Sequence, residues 1–167
     1  MTSSSLQLTL STLKTRLNEQ NEIVIQKEHG YQAVAEFAFH SPVSMEQVTD
    51  FKQQTGWILP LDYLEFLQIH NGLIINEKKF GDQNWLLSIE EIMNEYQDYM
   101  PEHWYPIFCV EGNYLLIDSE LAQSGEDGYL FWFKAGETIE DAQNLPYNFA
   151  TWFDRFIISQ CSWFWEW

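Results

Sequence analysis

Near the start of the chain, apolar residues recur at intervals of three and four, at Leu6, Leu10, Leu13 and Leu17. Residues at this spacing lie on one face of an α-helix, so the pattern predicts a helix from about Ser5 to Glu19. A single helix cannot bury its apolar face by itself. We therefore expect this helix to cover the rest of the domain rather than to form a separate unit.

The segments that follow predict a β-hairpin. In YQAVAEFAF, every second position from Tyr31 to Phe39 is apolar. This alternation is typical of a strand with one buried face. The β-rich segment EIVIQ precedes it and KEHG separates the two, so the hairpin should turn at His29-Gly30.

A capping box predicts the next helix. Ser44 and Gln47 have the spacing at which the serine hydroxyl and the glutamine side chain each satisfy a backbone N–H at a helix start. The helix should run from Ser44 to about Thr55. Gly56 should then end it in left-handed backbone, which glycine adopts without steric cost.

A further helix should begin at Pro60, because the first helical position tolerates a missing N–H and needs the φ angle that proline already has. The pair Asn71-Gly72 closes this helix. His70, in the last turn, is predicted to be a cation that interacts favourably with the helix dipole. We interpret the whole stretch from Thr55 to Gly72 as fold architecture rather than as a chemical site.

The second half of the chain predicts a helix, three strands and a final helix. Ser88 and Glu91 form another capping box, for a helix that Pro101 stops. The β-rich runs PIFCVE, NYLLID and GYLFWF follow as a meander, with a turn at Gly112-Asn113. Asn148 caps the last helix, whose core-facing residues are Phe149, Trp152, Phe153, Phe156 and Ile157.

This order of elements predicts the fold class. Helices followed by a sheet and then a helix favour an α+β fold over an alternating α/β fold. We expect a mainly antiparallel sheet with helices packed around it, in a single domain spanning residues 1–167. The chain has 167 residues, 46% of them hydrophobic, so its core needs no metal or disulfide, and Cys109 and Cys161 are interpreted as reduced, structural residues.

The net charge of the chain limits the classes of macromolecule that it is expected to bind. The chain has 8 Lys and Arg residues against 25 Asp and Glu residues, a formal net charge of -17. This field repels nucleic acid and anionic membranes and favours a basic protein partner; the alternative is that the acidic surface serves solubility alone. No long apolar segment or basic leader is apparent, so the sequence predicts a soluble, cytoplasmic protein.

Several of these motifs together resemble the SUKH superfamily, the family of the fungal cell-wall assembly regulator Smi/Knr and of many bacterial immunity proteins. Asp118, Gly128 and Trp132 resemble the end of its paired strands and the strand that follows, and NFATWFDRFI resembles its closing helix. The resemblance covers roughly residues 45–158 and implies a sheet with helices packed around it. The motif residues that carry its first half are Gly56, Leu59, Pro60, Tyr63, Phe66, Leu67, Asn71 and Gly72.

The chain is thereby divided into three parts within one domain. Residues 1–43 form the N-terminal helix and hairpin, residues 44–158 form the family-like core, and residues 159–167 form an aromatic tail. The tail ends in SWFWEW, with Trp163, Trp165 and Trp167 at alternate positions. The tryptophans either fold back onto the domain or contact a partner or a second copy.

No motif indicates catalysis. The four histidines include no HExxH or HxH pair, GxSxG is absent, and no glycine-rich loop precedes Lys-Ser or Lys-Thr. With 25 acidic residues, carboxylate pairs arise by chance. We expect no catalytic residues, no metal site and no cofactor.

Negative charge is concentrated in the loops of the predicted meander. Loops on a rigid sheet are where binding residues collect, although a merely solvated rim is the alternative. The candidate partner-binding residues are Glu111, Asp118, Glu120, Glu126 and Asp127, together with Trp163, Trp165 and Trp167 of the tail.

The resemblance and the charge together favour a non-catalytic immunity protein that neutralises a cognate toxin, in particular a basic nuclease. The alternative is a regulatory interaction module of the cell-wall-regulator type, and an unrecognised hydrolase is the third possibility. A neutraliser should bind one toxin tightly, whereas a regulatory module should bind several partners more weakly. The oligomeric state is left open.

Overall fold

A computed structural model describes residues 4–79 and 81–167. In the described residues the strands form one antiparallel sheet in which each strand pairs with its neighbours in sequence. The strands are β1 (Glu22–Gln26), β2 (Gln32–Phe39), β3 (Leu73–Glu77), β4 (Gln83–Leu86), β5 (Trp104–Val110), β6 (Asn113–Asp118), β7 (Leu130–Phe133) and β8 (Gln143–Leu145). The helices are α1 (Ser5–Arg16), α2 (Met45–Thr55), α3 (Leu61–Ile69), α4 (Ile89–Glu95), α5 (Ser119–Ala122) and α6 (Phe149–Ile158). The α+β fold predicted from the order of elements is confirmed.

The main core lies between the helices and one face of the sheet. Helix α1 packs against α6, and α3 packs against α6 as well. In the sheet, Phe37 of β2 is opposite Ile75 of β3, and both side chains are buried in this core. Because α1 covers the helices through Leu6, Leu10 and Leu13, it acts as the cover that its apolar face predicted.

A smaller apolar cluster lies on the opposite face of the sheet. Successive residues of a strand point to opposite faces, so Leu115 faces the main core while Leu116 faces the second cluster. Met100 and Phe133 complete the buried part of this cluster, and Tyr96, Trp104, Tyr114 and Phe131 pack around it half-buried. Both faces of the central strands are therefore covered.

The predicted helix caps are present. Ser44 and Ser88 each form a complete capping box, with Gln47 and Glu91 respectively. Gly56 follows α2 with a φ of 72°, in the left-handed region, as predicted. Pro60 lies one position earlier than predicted, as the N-cap of α3 rather than its first helical residue, because its ψ of 148° is extended.

Three helix-related predictions are corrected. Helix α1 ends at Arg16 instead of Glu19, because Leu17 has extended backbone. Helix α4 ends at Glu95, well before Pro101, so the proline does not stop it. Burial lowers the pKa of His70, which favours a neutral imidazole over the predicted cation. The hydrogen bond that Nδ1 donates to the carbonyl of His40 at 2.9 Å raises the pKa, but burial is the larger effect.

The sheet is larger than the predicted hairpin and meander. Strands β3, β4 and β8 were not predicted; they are three to five residues long and carry few alternating positions. Through β3 and β4, the N-terminal hairpin joins the meander in one sheet. In this order the connections after β1, β3, β5 and β7 lie at one end of the sheet, which we call the turn end, and the others lie at the opposite end.

Candidate partner-binding site

The C-terminal tail, residues 159–167, leaves α6 through a sharp turn. Gln160 and Cys161 have φ angles of 59° and 60°, in the left-handed region. A short 3₁₀ turn over Phe164–Glu166 follows. The tail therefore returns to the sheet, the first of the two alternatives that its tryptophans suggested.

Trp165 is part of the core. Its ring is 7% exposed and its centroid lies 5.0 Å from that of Trp132 and 5.5 Å from that of Trp152. A side chain held between two core tryptophans is not available to a partner. The structure thus corrects the expectation that Trp165 is a contact residue.

The other two tail tryptophans lie closer to solvent. Trp163 is half-buried, with its ring centroid 5.5 Å from that of Trp132. Trp167 is 79% exposed. Between them, Glu166 accepts a hydrogen bond of 2.7 Å from Nε1 of Trp132, which ties the tail to β7.

The tail borders a cleft at the turn end of the sheet. The cleft has a volume of about 530 Å³ and lies among the β1–β2 connection, the β3–β4 connection, the β5–β6 turn and the tail. Glu111, from the predicted acidic set, lines this cleft together with Trp163 and Trp167, from the predicted aromatic set. Tyr31 and Asp82 also line it.

An ion pair between a half-buried lysine and a buried carboxylate forms the floor of this cleft. Glu77 is 1% exposed, and its Oε1 lies 2.8 Å from Nζ of Lys27. Nδ2 of Asn84 lies 3.5 Å from the same carboxylate oxygen. Within residues 4–79 and 81–167, neither the second carboxylate oxygen of Glu77 nor Oδ1 of Asn84 has a hydrogen-bond donor.

Sequence reasoning missed Glu77, although a signal was present. Leu73, Ile75 and Glu77 share the buried phase of β3, so a carboxylate occupies a position where an apolar residue is expected. Buried carboxylates require a partner or a function. Asn84 and Asp82 carried no comparable signal, because they lie in a short strand and its approach.

The free thiols of the chain are not activated. Cys161 lines the cleft, and burial, followed by the nearby charge of Glu77, raises its pKa to about 12. Burial also raises the pKa of Cys109, with Glu95 as the second cause, and Cys109 is half-buried rather than fully buried. Neither residue has the thiolate character of a nucleophile.

The five predicted acidic residues do not form one face. Glu111 lies in the β5–β6 turn at the turn end, whereas Asp118 ends β6 at the opposite end. The six residues of β6 separate the two ends by about 17 Å. Glu120, Glu126 and Asp127 belong with Asp118, because they all follow β6.

Asp118 itself is a structural residue. It is 7% exposed, and its Oδ1 accepts from the backbone N–H groups of Glu120 and Leu121, so it caps α5. Its Oδ2 accepts from Nε1 of Trp104 at 2.9 Å. The expectation that Asp118 presents its charge to a partner is therefore corrected.

The remaining acidic residues at the opposite end are accessible. Glu120 and Glu126 are exposed on and after α5. Asp127 is also exposed, and its Oδ1 accepts from Nδ2 of Asn148 at 2.9 Å. These three side chains stay candidates for contact with a partner.

Residues 42–157 match the sequence pattern of the SMI1 / KNR4 family (SUKH-1). The chain belongs to this family. It is also similar to two uncharacterized proteins of Bacillus subtilis (strain 168): it is 36% identical to YnaB over 135 residues, 79% of this chain and 88% of YnaB. It is 29% identical to YobM over 171 residues, 95% of this chain and 90% of YobM.

The SUKH-1 motif residues are parts of the architecture. Leu59 and Tyr63 are buried in the main core. Asn71 accepts a hydrogen bond of 2.9 Å from the backbone N–H of Ile89, which ties the end of α3 to the start of α4. Gly72 has a φ of 99°, and a Cβ at this position would lie 2.9 Å from the carbonyl oxygen of Leu86.

Much of the cleft lies outside the matched SUKH-1 segment. Its Lys27–Tyr31 side precedes residue 42, and its Cys161–Trp167 side follows residue 157. The matched segment supplies only the β3–β4 and β5–β6 sides. The SUKH-1 sheet is thus the platform, and two flanking segments complete the cleft.

Two findings bear on other kinds of site. The described ranges contain no grouping of three or more His, Cys, Asp or Glu side chains that could hold a metal ion. None of the helices in these ranges combines the length and apolarity needed to cross a bilayer.

Proposed function

We propose that this SUKH-1 protein is a non-catalytic binding domain of the immunity type, which neutralises a basic toxin, most specifically a nuclease, by occupying its positively charged groove. The proposal is carried by one observation: exposed carboxylates crowd both ends of a rigid sheet in a chain of net charge -17. A field of this sign attracts a protein that has evolved to bind nucleic acid. The family resemblance implies the same role.

Rigidity supports inhibition by binding. The acidic turns are held by a continuous antiparallel sheet with a buried aromatic core, so they need little ordering when a partner docks. Preorganised surfaces bind more tightly because less conformational entropy is lost. We place this interaction in the cytoplasm.

The test uses the product of the gene adjacent to the one that encodes this chain. We expect the two purified proteins to form a stable one-to-one complex and the toxic activity to disappear at equimolar ratio. A variant with Glu111, Glu120 and Glu126 replaced by Gln and Asp127 by Asn should fold but protect less well. Asp118 is left unchanged because it caps α5. Absence of a complex between the wild-type proteins would contradict the proposal.

A regulatory interaction module is the second candidate. Leu61 at the start of α3 is 86% exposed, and Ile158 at the end of α6 is 69% exposed. Such exposed apolar side chains offer contact points besides the acidic turns, as a protein with several partners requires. Recovery of several partners with similar weak affinities would favour this function over toxin neutralisation.

A further inference from the structure

The cleft at the turn end has an excess of negative charge. Glu28, Asp82, Glu111 and Glu166 line it together with the buried Glu77. Lys27 is held by Glu77, and Lys134, which lies outside the lining, is 3.4 Å from Oε2 of Glu166. Glu28, Glu111 and Glu166 are exposed at the rim and Asp82 is half-buried, and their combined field attracts a cation.

Two residues that line the cleft carry buried hydrogen-bond acceptors that lack donors. Oε2 of Glu77 and Oδ1 of Asn84 are both buried and without a donor in the part of the chain that the structure describes. Glu77 is 1% exposed and Asn84 is 2% exposed. Buried acceptors of this kind are rare in folded proteins, and a ligand that carries several N–H groups satisfies them.

The walls of the cleft are aromatic. Tyr31 is 57% exposed and Trp167 is 79% exposed, while Trp163 is half-buried. The faces of such rings attract ammonium and guanidinium groups. The chain already shows this contact, because Nζ of Lys79 lies 5.6 Å from the centroid of the Tyr31 ring.

We infer that this cleft is a subsite for a single arginine or lysine side chain of the protein partner. The inference rests on the proposed function, since it assigns the basic partner a point of entry. Lys27, which is 24% exposed, shows that the floor accepts an ammonium group. An incoming guanidinium displaces Lys27 toward solvent and takes the free acceptors of Glu77 and Asn84, and the exposed ring of Trp167 stacks on its plane.

The cleft is suited to specificity because its sides come from segments outside the SUKH-1 match. The sheet turns provide the acidic residues Asp82 and Glu111, and the flanking segments provide Tyr31 and Trp167. Changes in the flanking segments can alter the cleft without disturbing the core. Relatives with different flanks would then select different partners on one platform.

The test measures binding of a fluorescein-labelled peptide of alternating arginine and glycine to the full chain by anisotropy. The control peptide carries citrulline, which keeps the shape of arginine and loses its charge. We expect the arginine peptide to bind at least about tenfold more tightly than the citrulline peptide. Equal binding of the two peptides would overturn the inference.

Matched variants distinguish binding at the cleft from attraction by the overall negative charge of the protein. The pair Asp82→Asn and Glu111→Gln removes two charges at the cleft. The distant pair Asp50→Asn and Glu102→Gln removes two exposed charges in the connections that follow β2 and β4, at the opposite end of the sheet. The cleft pair should weaken peptide binding about three- to tenfold and the distant pair less than about twofold. Equal weakening by both pairs would show non-specific attraction and overturn the inference.

Two further measurements complete the design. Trp167→Ala should weaken peptide binding about two- to fivefold, because a cation loses one ring face. Spermidine, a small polyamine, should bind more weakly than the peptide; tighter binding would overturn the assignment to a protein side chain. If the neighbouring toxin binds normally to the cleft pair and to Trp167→Ala, the inference fails while the proposed function stands.

Discussion

The hydroxyl of Tyr129 donates to the carboxylate of Asp62, with its oxygen 2.8 Å from Oδ1. The same carboxylate accepts from the backbone N–H of Ala150, and the tyrosine oxygen accepts from the backbone N–H of Phe149. The first turn of α3, the start of β7 and the first turn of α6 therefore meet at one polar junction. Asp62 therefore accepts backbone N–H groups at the starts of both α3 and α6.

This junction should contribute measurably to stability. Tyr129→Phe removes the hydroxyl, so the Asp62 carboxylate loses one of its donors and the Phe149 N–H loses its acceptor. The free energy of unfolding should therefore fall by about 1–3 kcal/mol. Tyr31→Phe is the matched control, because its ring is exposed, and it should change stability by less than about 0.5 kcal/mol. Urea denaturation followed by circular dichroism measures both. A Tyr129→Phe protein as stable as wild type would contradict the role of the junction.

Stability should depend on pH in the alkaline range. Burial raises the pKa of Tyr63, Tyr105 and Tyr129, the last also through the charge of Asp62. The unfolded state releases these phenolic protons above about pH 10 while the native state keeps them, so stability is present below that pH and is lost above it. Cys161, raised to about 12, starts the decline near pH 9.

The slope of the free energy of unfolding against pH tests this prediction. Each buried phenol lowers the free energy of unfolding by about 1.4 kcal/mol per pH unit above its unfolded pKa. Tyr129→Phe should therefore show a shallower decline than wild type above pH 10 in parallel urea titrations. Identical slopes in the two proteins would show that Tyr129 ionises in the native state.

Two glycines with positive φ should respond differently to alanine. A Cβ on Gly56 would have no atom within 4 Å, so Gly56→Ala should cost only the left-handed backbone, about 1 kcal/mol. A Cβ on Gly72 would lie 2.9 Å from the carbonyl oxygen of Leu86 and from Nδ1 of His40. Gly72→Ala should cost a further 1–3 kcal/mol, roughly, because a strand carbonyl cannot move aside freely. Equal losses in thermal unfolding would contradict the crowding at Gly72.

The two tail residues Trp165 and Trp167 should contribute very differently to stability, because the first lies in the core and the second at the surface. Trp165→Ala leaves a cavity beside Trp132 and Trp152 and should lower the free energy of unfolding by about 3–5 kcal/mol. Trp167→Ala, at a ring that is 79% exposed, should change it by less than about 0.5 kcal/mol. Comparable effects of the two substitutions in denaturant titrations would show that the tail is placed differently.

Association with a basic toxin should be steered by charge. The on-rate should fall steeply with added salt, because screening shortens to about 8 Å at physiological ionic strength. The variant with Glu111, Glu120, Glu126 and Asp127 neutralised should associate more slowly at low salt and approach the wild-type rate at high salt. Stopped-flow fluorescence at two salt concentrations measures this difference. An on-rate that is the same for both proteins at both concentrations would exclude these turns as the steering surface.

Local patterns in the sequence determined most of the helices and the starts of α2, α4 and α6. The capping boxes at Ser44 and Ser88 and the left-handed Gly56 depend on hydrogen bonds and φ angles within a few residues, so their spacing was enough to predict them. The alternation in β2 and the apolar face of α6 could be predicted for the same reason. The net charge, on which the prediction of a basic partner rests, is also a property of the sequence alone.

Contacts between distant parts of the chain were decided by the tertiary structure. Strands β4 and β8 are too short to show a period, and β3 shows one over five residues only. All three are stabilised by pairing with neighbours rather than by their own propensity. Strand direction placed Glu111 and Asp118 at opposite ends of the sheet, although only seven positions separate them. Trp165 is buried and Trp167 is exposed, although both belong to the same alternating pattern. The turn at Gln160 and Cys161 sets which ring faces the core, and no local pattern encodes that orientation.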